Sequence, residues 1–175
     1  NLYRCNGRWL AIDCGIGFGG AQYPEVDIMT PDPGFIADRR DRLLGLVITH
    51  AHEDHIGAVA HLWPLLRCPV YVTPFAAVVL RRKLQEAQLL PQVKIHVVPP
   101  GGSIHLPPFD LRFIRMSHSI PEAQAVAIET PYGLVLHTGD WKMDPQPLVG
   151  PPTDEAALSA LGDRGVLAMV CDATN

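Results

Sequence analysis

Short unbroken apolar runs alternate along the chain with stretches in which apolar residues return at helical spacing. Leu2 to Cys5 and Trp9 to Asp13 flank Asn6-Gly7, and Asn-Gly between apolar segments predicts a β-hairpin. Gly15 to Pro33 is rich in Gly, Pro and Asp and reads as a long loop, followed by a short polar helix around Phe35 to Arg42. "LLGLVIT", Leu43 to Thr49, is continuously apolar, the pattern of a strand covered on both faces. Ile56, Val59, Ala60, Leu62 and Trp63 then fall at helical spacing and predict a helix ending near Pro64. The order repeats with a strand at Val70 to Thr73, a helix from Pro74 to about Leu89 with proline in its first turn, and a strand at Lys94 to Val98.

From Pro99 the pattern changes to turns and strands: Ser103 to Leu106, Phe109 to Met116, Ala125 to Glu129 and, after a Tyr132-Gly133 turn, Leu134 to Thr138. A proline-rich loop, Pro145 to Pro152, leads to a helix over Asp154 to Leu161 and a last strand, Val166 to Cys171. Strands at both ends with βαβ units between them predict two sheets with helices outside, a four-layer α/β arrangement.

Composition narrows the class. With 175 residues, 47% hydrophobic and 18% charged, the chain has the material for one ordinary soluble domain with a real core. No apolar run is long enough to span a membrane and no secretory signal is present, so the expected compartment is the cytoplasm. The chain opens at Asn1 without methionine and stops at Asn175 just after an apolar run, so both ends read as cuts within a longer protein. Cys5, Cys14, Cys68 and Cys171 form no C-x-x-C pair and read as reduced, mostly buried thiols. A net charge of -4 gives no global attraction for nucleic acid; the basic clusters Arg39, Arg40, Arg42 and Arg81, Arg82, Lys83 read as solvated helix faces.

The chemistry concentrates in "VITHAHEDHIGA", Val47 to Ala58. It sits where a strand's carboxyl end meets a helix start, the usual ligand position of α/β proteins. His50, His52, Asp54 and His55 cannot all face one way on a strand or a helix, so they require a tight irregular loop to converge. Imidazoles and carboxylates suit zinc or manganese, and the lack of thiolates favours an open catalytic site over a closed structural one. His50 and His52 can chelate one ion while Asp54-His55 turns toward a second. His118 in "MSHSIP" and Asp140 in "LHTGDW", both at predicted strand ends, are the further ligands, and a carboxylate such as Asp140 can bridge two cations. His61, His96, His105 and His137 lack such support and read as structural. Asp13 is equally suited to orienting a ligand histidine or to capping its turn.

These residues make the chain resemble the metallo-β-lactamase superfamily through "DCG" at Asp13 to Gly15, "HAHEDH" at His50 to His55, His118, and "TGD" at Thr138 to Asp140. "THAHEDHIGA", "SHSIPEA" from Ser117, "HTGDWKMDPQP" from His137, the final "CDATN", "MTPDPGFI" and "LLGLVITH" resemble the ribonuclease J group of β-CASP nucleases. The resemblance departs at Trp141, Glu122 and Ala173, where phenylalanine, aspartate and serine are usual. It implies a four-layer αββα metallo-β-lactamase fold, here partial: residues 1–175 as the N-terminal part of that domain, without the β-CASP insertion and the C-terminal remainder. His50, His52 and His118 would hold one Zn2+, Asp54 and His55 the other, with Asp140 bridging and Mn2+ as the alternative metal. Asp172 matches the acidic residue that opens the β-CASP motifs and would handle protons, so Asp54, Asp140 and Asp172 are the expected catalytic carboxylates. The family's last metal histidine follows the insertion, outside this chain.

The implied activity is exo- and endonucleolytic cleavage of RNA phosphodiester bonds by water that the metals activate to hydroxide. RNA is the expected partner, and any homo-oligomer would form through regions not present here. Two other readings fit the same ligands: a small-molecule metallohydrolase of the thioesterase or lactamase type, and a non-catalytic subunit that binds RNA or a partner.

Overall fold

A computed structural model of the chain describes residues 1–172. Its first half builds one sheet, in the order β1 (Leu2–Cys5), β2 (Arg8–Ile12), β3 (Leu43–Val47), β4 (Val70–Val72), β5 (Ile95–Val97). The β1–β2 pair is antiparallel and the other pairs are parallel. Asn6 and Gly7 both take positive φ, 47° and 75°, as a tight hairpin turn of primed type requires. The second half forms a sheet ordered β10 (Ala168–Val170), β9 (Gly133–His137), β8 (Gln124–Thr130), β7 (Phe109–Arg115), β6 (Ser103–Leu106), antiparallel except for the parallel β9–β10 pair.

Side-chain alternation sorts these strands into layers. One face of the first sheet, with Leu46, Ile48, Val70 and Val72, packs on the helices α3 (Val59–Leu66) and α4 (Pro74–Glu86) through Val59, Leu62, Ala76 and Leu80. Its other face, with Leu10, Ile12, Val47 and Tyr71, meets Phe109, Leu111, Phe113, Val126 and Ile128 of the second sheet. The far side of the second sheet, with Ala125, Ala127, Leu134 and Leu136, is covered by Leu161, Ala157 and Leu158 of α5 (Glu155–Arg164). The four layers expected from the sequence are therefore present. Phe109 and Phe113 are 1% exposed, and burial of each contributes about 1.5–3 kcal/mol to holding the sheets face to face.

Several boundaries differ from expectation. The segment after the histidine cluster is two helices, α2 (Glu53–Ile56) and α3, and Pro64 lies inside α3 instead of ending it. Proline removes one ladder bond there, in the last turn, while Trp63 and Leu66 are buried and Trp63 Nε1 donates to Cys68 O at 2.8 Å. The helix ends at Arg67, in the left-handed conformation. The predicted polar helix is a single turn, α1 (Gly34–Ala37), followed by a 3-10 turn at Arg40–Arg42. The 15–33 segment is pinned by a bridge between Gly17 and Met29. The last strand, expected over Val166 to Cys171, is shorter, Ala168–Val170, and forms an edge whose Met169 is 60% exposed. Of "CDATN", Ala173 to Asn175 lie outside the described residues.

Part of each basic cluster has local partners. Arg39 stacks on Phe35 with 4.2 Å from Cζ to the ring centre; Arg82 pairs with Glu86 at 3.1 Å and Lys83 with Glu53 at 2.6 Å. Cys5, Cys14 and Cys68 are buried and Cys171 is exposed, and all four are free thiols.

Gly15 allows the loop after β2 to touch α2. A Cβ on it would lie 1.7 Å from the Asp54 carbonyl oxygen, closer than any atom tolerates, and both partners are backbone. Gly15→Ala is expected to destabilise the fold by about 2–3 kcal/mol, the cost of forcing a methyl into filled space, read as a lower denaturant midpoint at unchanged slope.

Candidate metal centre

The carboxyl ends of β2 and β3 and the loops after β7 and β9 open on one end of the sandwich. His50 follows β3, fully buried, and the extended His52 starts α2, whose first turn carries Asp54 and whose last carries His55. The His118 loop is held on two sides: Ser117 N donates to Thr153 Oγ1 at 2.8 Å, and Phe75 N at the start of α4 donates to Glu122 Oε2 at 2.7 Å. Thr153 also donates to Lys142 O at 2.9 Å, so one hydroxyl ties the loop carrying His118 to the loop carrying Asp140. Gly139, at φ 56°, turns the chain so that Asp140 follows directly.

The six expected ligand residues come together in two groups: His50, His52, His118 and Asp140, and Asp54, His55 and Asp140. In the first, His52 Nδ1 lies 3.1 Å from both His50 Nε2 and His118 Nε2, and Asp140 Oδ2 lies 3.4 Å from His118 Nε2 and 3.9 Å from His50 Nε2. Bonds of about 2.0–2.2 Å to a tetrahedral ion place its ligands about 3.3–3.6 Å apart; the four spacings scatter around that range, and all the ligand atoms lie within 4.8 Å of one another, close enough to share one divalent cation. In the second, His55 Nε2 is 3.0 Å from Asp140 Oδ1 and 3.6 Å from Asp54 Oδ2. Asp140 turns one oxygen to each group.

Asp13 lies behind both groups. It follows β2 in the left-handed region, φ 60°, which aspartate tolerates better than most residues. Oδ1 accepts from Thr49 N and Oδ2 from Thr49 Oγ1, both at 2.8 Å, while His55 Nδ1 is 2.8 Å from Oδ2. The carboxylate thus both caps the turn and orients a histidine, the two roles the sequence left open. His137, expected to be structural, is buried, with Nδ1 2.8 Å from Tyr3 Oη and Nε2 3.9 Å from Asp13. Of the other three, His61 is exposed, His96 stacks on Tyr71 and His105 pairs with Asp110 at the surface. Thr49 is the residue that sequence reasoning missed. Its only signal was parity, since it follows Val47 at the strand period and so faces the sheet interior with a hydroxyl.

Asp172 lines a cavity of about 550 Å³ with Asp54, His55 and Asp140, and its N–H donates to Thr138 Oγ1 at 3.2 Å. All three expected catalytic carboxylates therefore face one space.

Burial and neighbouring charges shift members of the cluster in opposite directions. Burial, with the neighbouring His55, pushes His50 from an ordinary 6.5 down to about 3. Burial also lowers His118, against the pull of Asp140. For His55 burial acts downward too, yet the hydrogen bond and charge of Asp13, with Asp140 and Asp54, outweigh it and raise the value. Burial alone would raise Asp13; the facing imidazoles of His137 and His55 and the Thr49 amide hold it well below the usual carboxylate range.

This combination of fold and site is that of the metallo-β-lactamase class: two stacked sheets, helices outside, and a His/Asp cluster suited to divalent metal at one end. The chain belongs to the β-lactamase superfamily domain family, whose model matches residues 8–153. Its relatives include proteins named Ribonuclease J, from Sinorhizobium meliloti (45% identical over 96% of this chain), Mycolicibacterium smegmatis (45% over 97%) and Corynebacterium glutamicum (42% over 99%). The chain spans only 24% to 30% of the length of these relatives. Among solved structures it resembles zinc-bound PqqB from Methylobacterium extorquens, with TM-score 0.68 and 14% identity over 99% of this chain and 59% of that one. It also resembles the short form of human tRNase Z, with TM-score 0.57 and 15% identity over 79% of this chain and 61% of that one. Both likenesses bear on the fold alone.

The shifts predict a stability maximum for the metal-free protein. Unfolded His50 and His118 bind protons that the fold refuses, so stability rises with pH up to about 6.5. Folded His55 keeps a proton that the unfolded chain has lost, so stability declines as pH climbs beyond 6.5 through its raised value. Thermal midpoints of chelator-treated protein against pH check this, and Asp13→Asn is expected to flatten the descending limb.

Proposed function

We propose that the chain is the N-terminal catalytic part of a ribonuclease J-type enzyme that hydrolyses RNA phosphodiester bonds with two divalent cations. The observation that carries this is the division of Asp140: Oδ1 stands 3.0 Å from His55 Nε2 and Oδ2 3.4 Å from His118 Nε2. A carboxylate shared in this way suits a pair of cations. Substrate class rests on the 42–45% identity to the three named relatives over nearly the whole chain.

His50, His52, His118 and Asp140 would hold one ion; Asp54, His55 and Asp140 would hold the other, with a further histidine from chain beyond Asn175. Zinc suits the nitrogen-rich first group, and manganese is the alternative. When bound, the two cations supply Lewis acidity to phosphoryl oxygens and bring the pKa of water toward neutrality. The protein's part is placement. Asp13 and Thr49 hold His55 and His50 with their Nε2 atoms toward the cavity, Asp140 fixes the spacing of the two groups, and Asp172 on the cavity wall accepts a proton at a carboxylate oxygen. The groove and phosphate contacts for RNA would come from the β-CASP portion, which accounts for the chain's -4 charge and its partly paired basic clusters. A cytoplasmic setting accords with this substrate and with the lack of a membrane-spanning helix among the described residues.

The test is the full-length protein, with metal content verified, acting on 5′-monophosphorylated RNA. Cleavage is expected, and Asp54→Ala or His55→Ala should reduce it by at least about 100-fold, more than removal of a ligand's outer partner costs. A protein with both groups filled that leaves RNA intact, yet opens a β-lactam or thioester, would overturn the RNA reading.

A further inference from the structure

We propose that the Asp13 carboxylate is the common positioning group of both metal-binding groups, and that its hydrogen-bonded route to the His50 group runs through the Thr49 hydroxyl. This rests on the metal reading above and adds a division of labour behind it.

The argument follows the hydrogens. Oδ2 of Asp13 has Thr49 Oγ1 and His55 Nδ1 at 2.8 Å each, and Oδ1 has the Thr49 amide at 2.8 Å. An ionised carboxylate only accepts, so Thr49 must turn its single O–H toward Asp13, and His55 must carry its hydrogen on Nδ1. Thr49 Oγ1 then has only lone pairs to offer its remaining neighbour, His50 Nδ1, at 3.0 Å. His50 must therefore also carry its hydrogen on Nδ1. Both rings are left with a bare Nε2, and each Nε2 faces the cavity side: His50 toward His52 and Asp140, His55 toward Asp140 and Asp54. One carboxylate thus sets the tautomer of a ligand in each group, directly for His55 and by relay for His50.

The relay is fixed in space as well as in polarity. Thr49 is fully buried, and a Cβ on Gly139 would come within 3.1 Å of its Cβ and 3.2 Å of its Oγ1. The turn that delivers Asp140 is therefore packed against the threonine that orients His50. Thr49 Oγ1 lies 3.5 Å from His55 Nδ1, against 2.8 Å from that nitrogen to Asp13. The hydroxyl is thus a weak partner for His55 and the direct partner for His50.

Removing the hydroxyl should weaken one group and spare the other. Two reference variants of the full-length protein separate them: Asp54→Ala leaves the first group to be titrated alone, and His52→Ala leaves the second. Zinc competition against a chromophoric chelator gives the affinity of each, without reference to turnover. Thr49→Val is expected to lower Zn2+ affinity by about 10–100-fold in the Asp54→Ala background, the usual cost of losing a ligand's outer partner, and to leave it unchanged in the His52→Ala background. Thr49→Ser keeps the hydroxyl and should restore the reference affinity. Asp13→Asn should weaken both groups. If Thr49→Val does not fold, Thr49→Ala removes the same hydroxyl and must show the same one-sided loss. Equal losses in both backgrounds, or no loss in either, overturn the relay. A wild type that takes up no second ion overturns the two-metal reading instead, which the wild-type titration reveals before any variant is compared.

Discussion

A carboxylate shut away from water must be met by donors, and around Asp13 that requirement holds the site end of the molecule together. Leaving such a charge without partners costs several kcal/mol. Its partners come from the start of the histidine loop, from α2 and, at longer range, from β9. The left-handed turn at Asp13, the close approach of Gly15 to α2 and the packing of Gly139 on Thr49 serve one arrangement. In it two segments far apart in sequence, the 49–55 stretch and β9, converge on a single largely buried anion. The donors that satisfy it are attached to the groups that present nitrogen to the cavity.

The layers supply the frame for this convergence. Because the first sheet is parallel beyond its opening hairpin, β2 and β3 both end on the same side, and their loops emerge together. The second sheet delivers His118 after β7 and Asp140 after β9 to that same end. Strands that alternate between the helix-facing and sheet-facing cores cannot slip by one residue without exchanging every side chain between them. Register is therefore fixed by the apolar packing, and the loops inherit the precision. Thr153 ties the second sheet's two loops to each other, and Glu122 ties the His118 loop to the start of α4.

The cluster is built against its own electrostatics. Four imidazoles and three carboxylates stand within a few ångströms, with His50 depressed to about 3 and His55 raised. The two shifts have opposite causes: burial and neighbouring imidazoles for His50, and for His55 burial outweighed by the surrounding carboxylates. Asp54, the most exposed member, has a side chain 66% open to solvent, so the second group opens on the cavity that Asp172 also lines. The first group is the more enclosed.

Much of this was legible in the chain itself. The Asn6-Gly7 hairpin, the apolar strand ahead of the histidines, the four layers and all six clustered candidate ligand residues followed from period and spacing, because local geometry and apolar alternation are written residue by residue. The ends of elements were less legible: Pro64 sits inside a helix because Trp63 and Leu66 are held by the core, a force that no local rule contains. Two further things required the tertiary structure. Whether Asp13 capped a turn or oriented a ligand depended on which strand end lay beside it, and the answer was both. The part played by Thr49 depended on a hydroxyl lying between a carboxylate and an imidazole contributed by different segments. Sequence determined which groups this protein can bring to a metal, since ligand chemistry belongs to residue types. Only the fold decided which nitrogen His55 and His50 present, because that is set by Asp13, remote in the chain, directly for His55 and through Thr49 for His50.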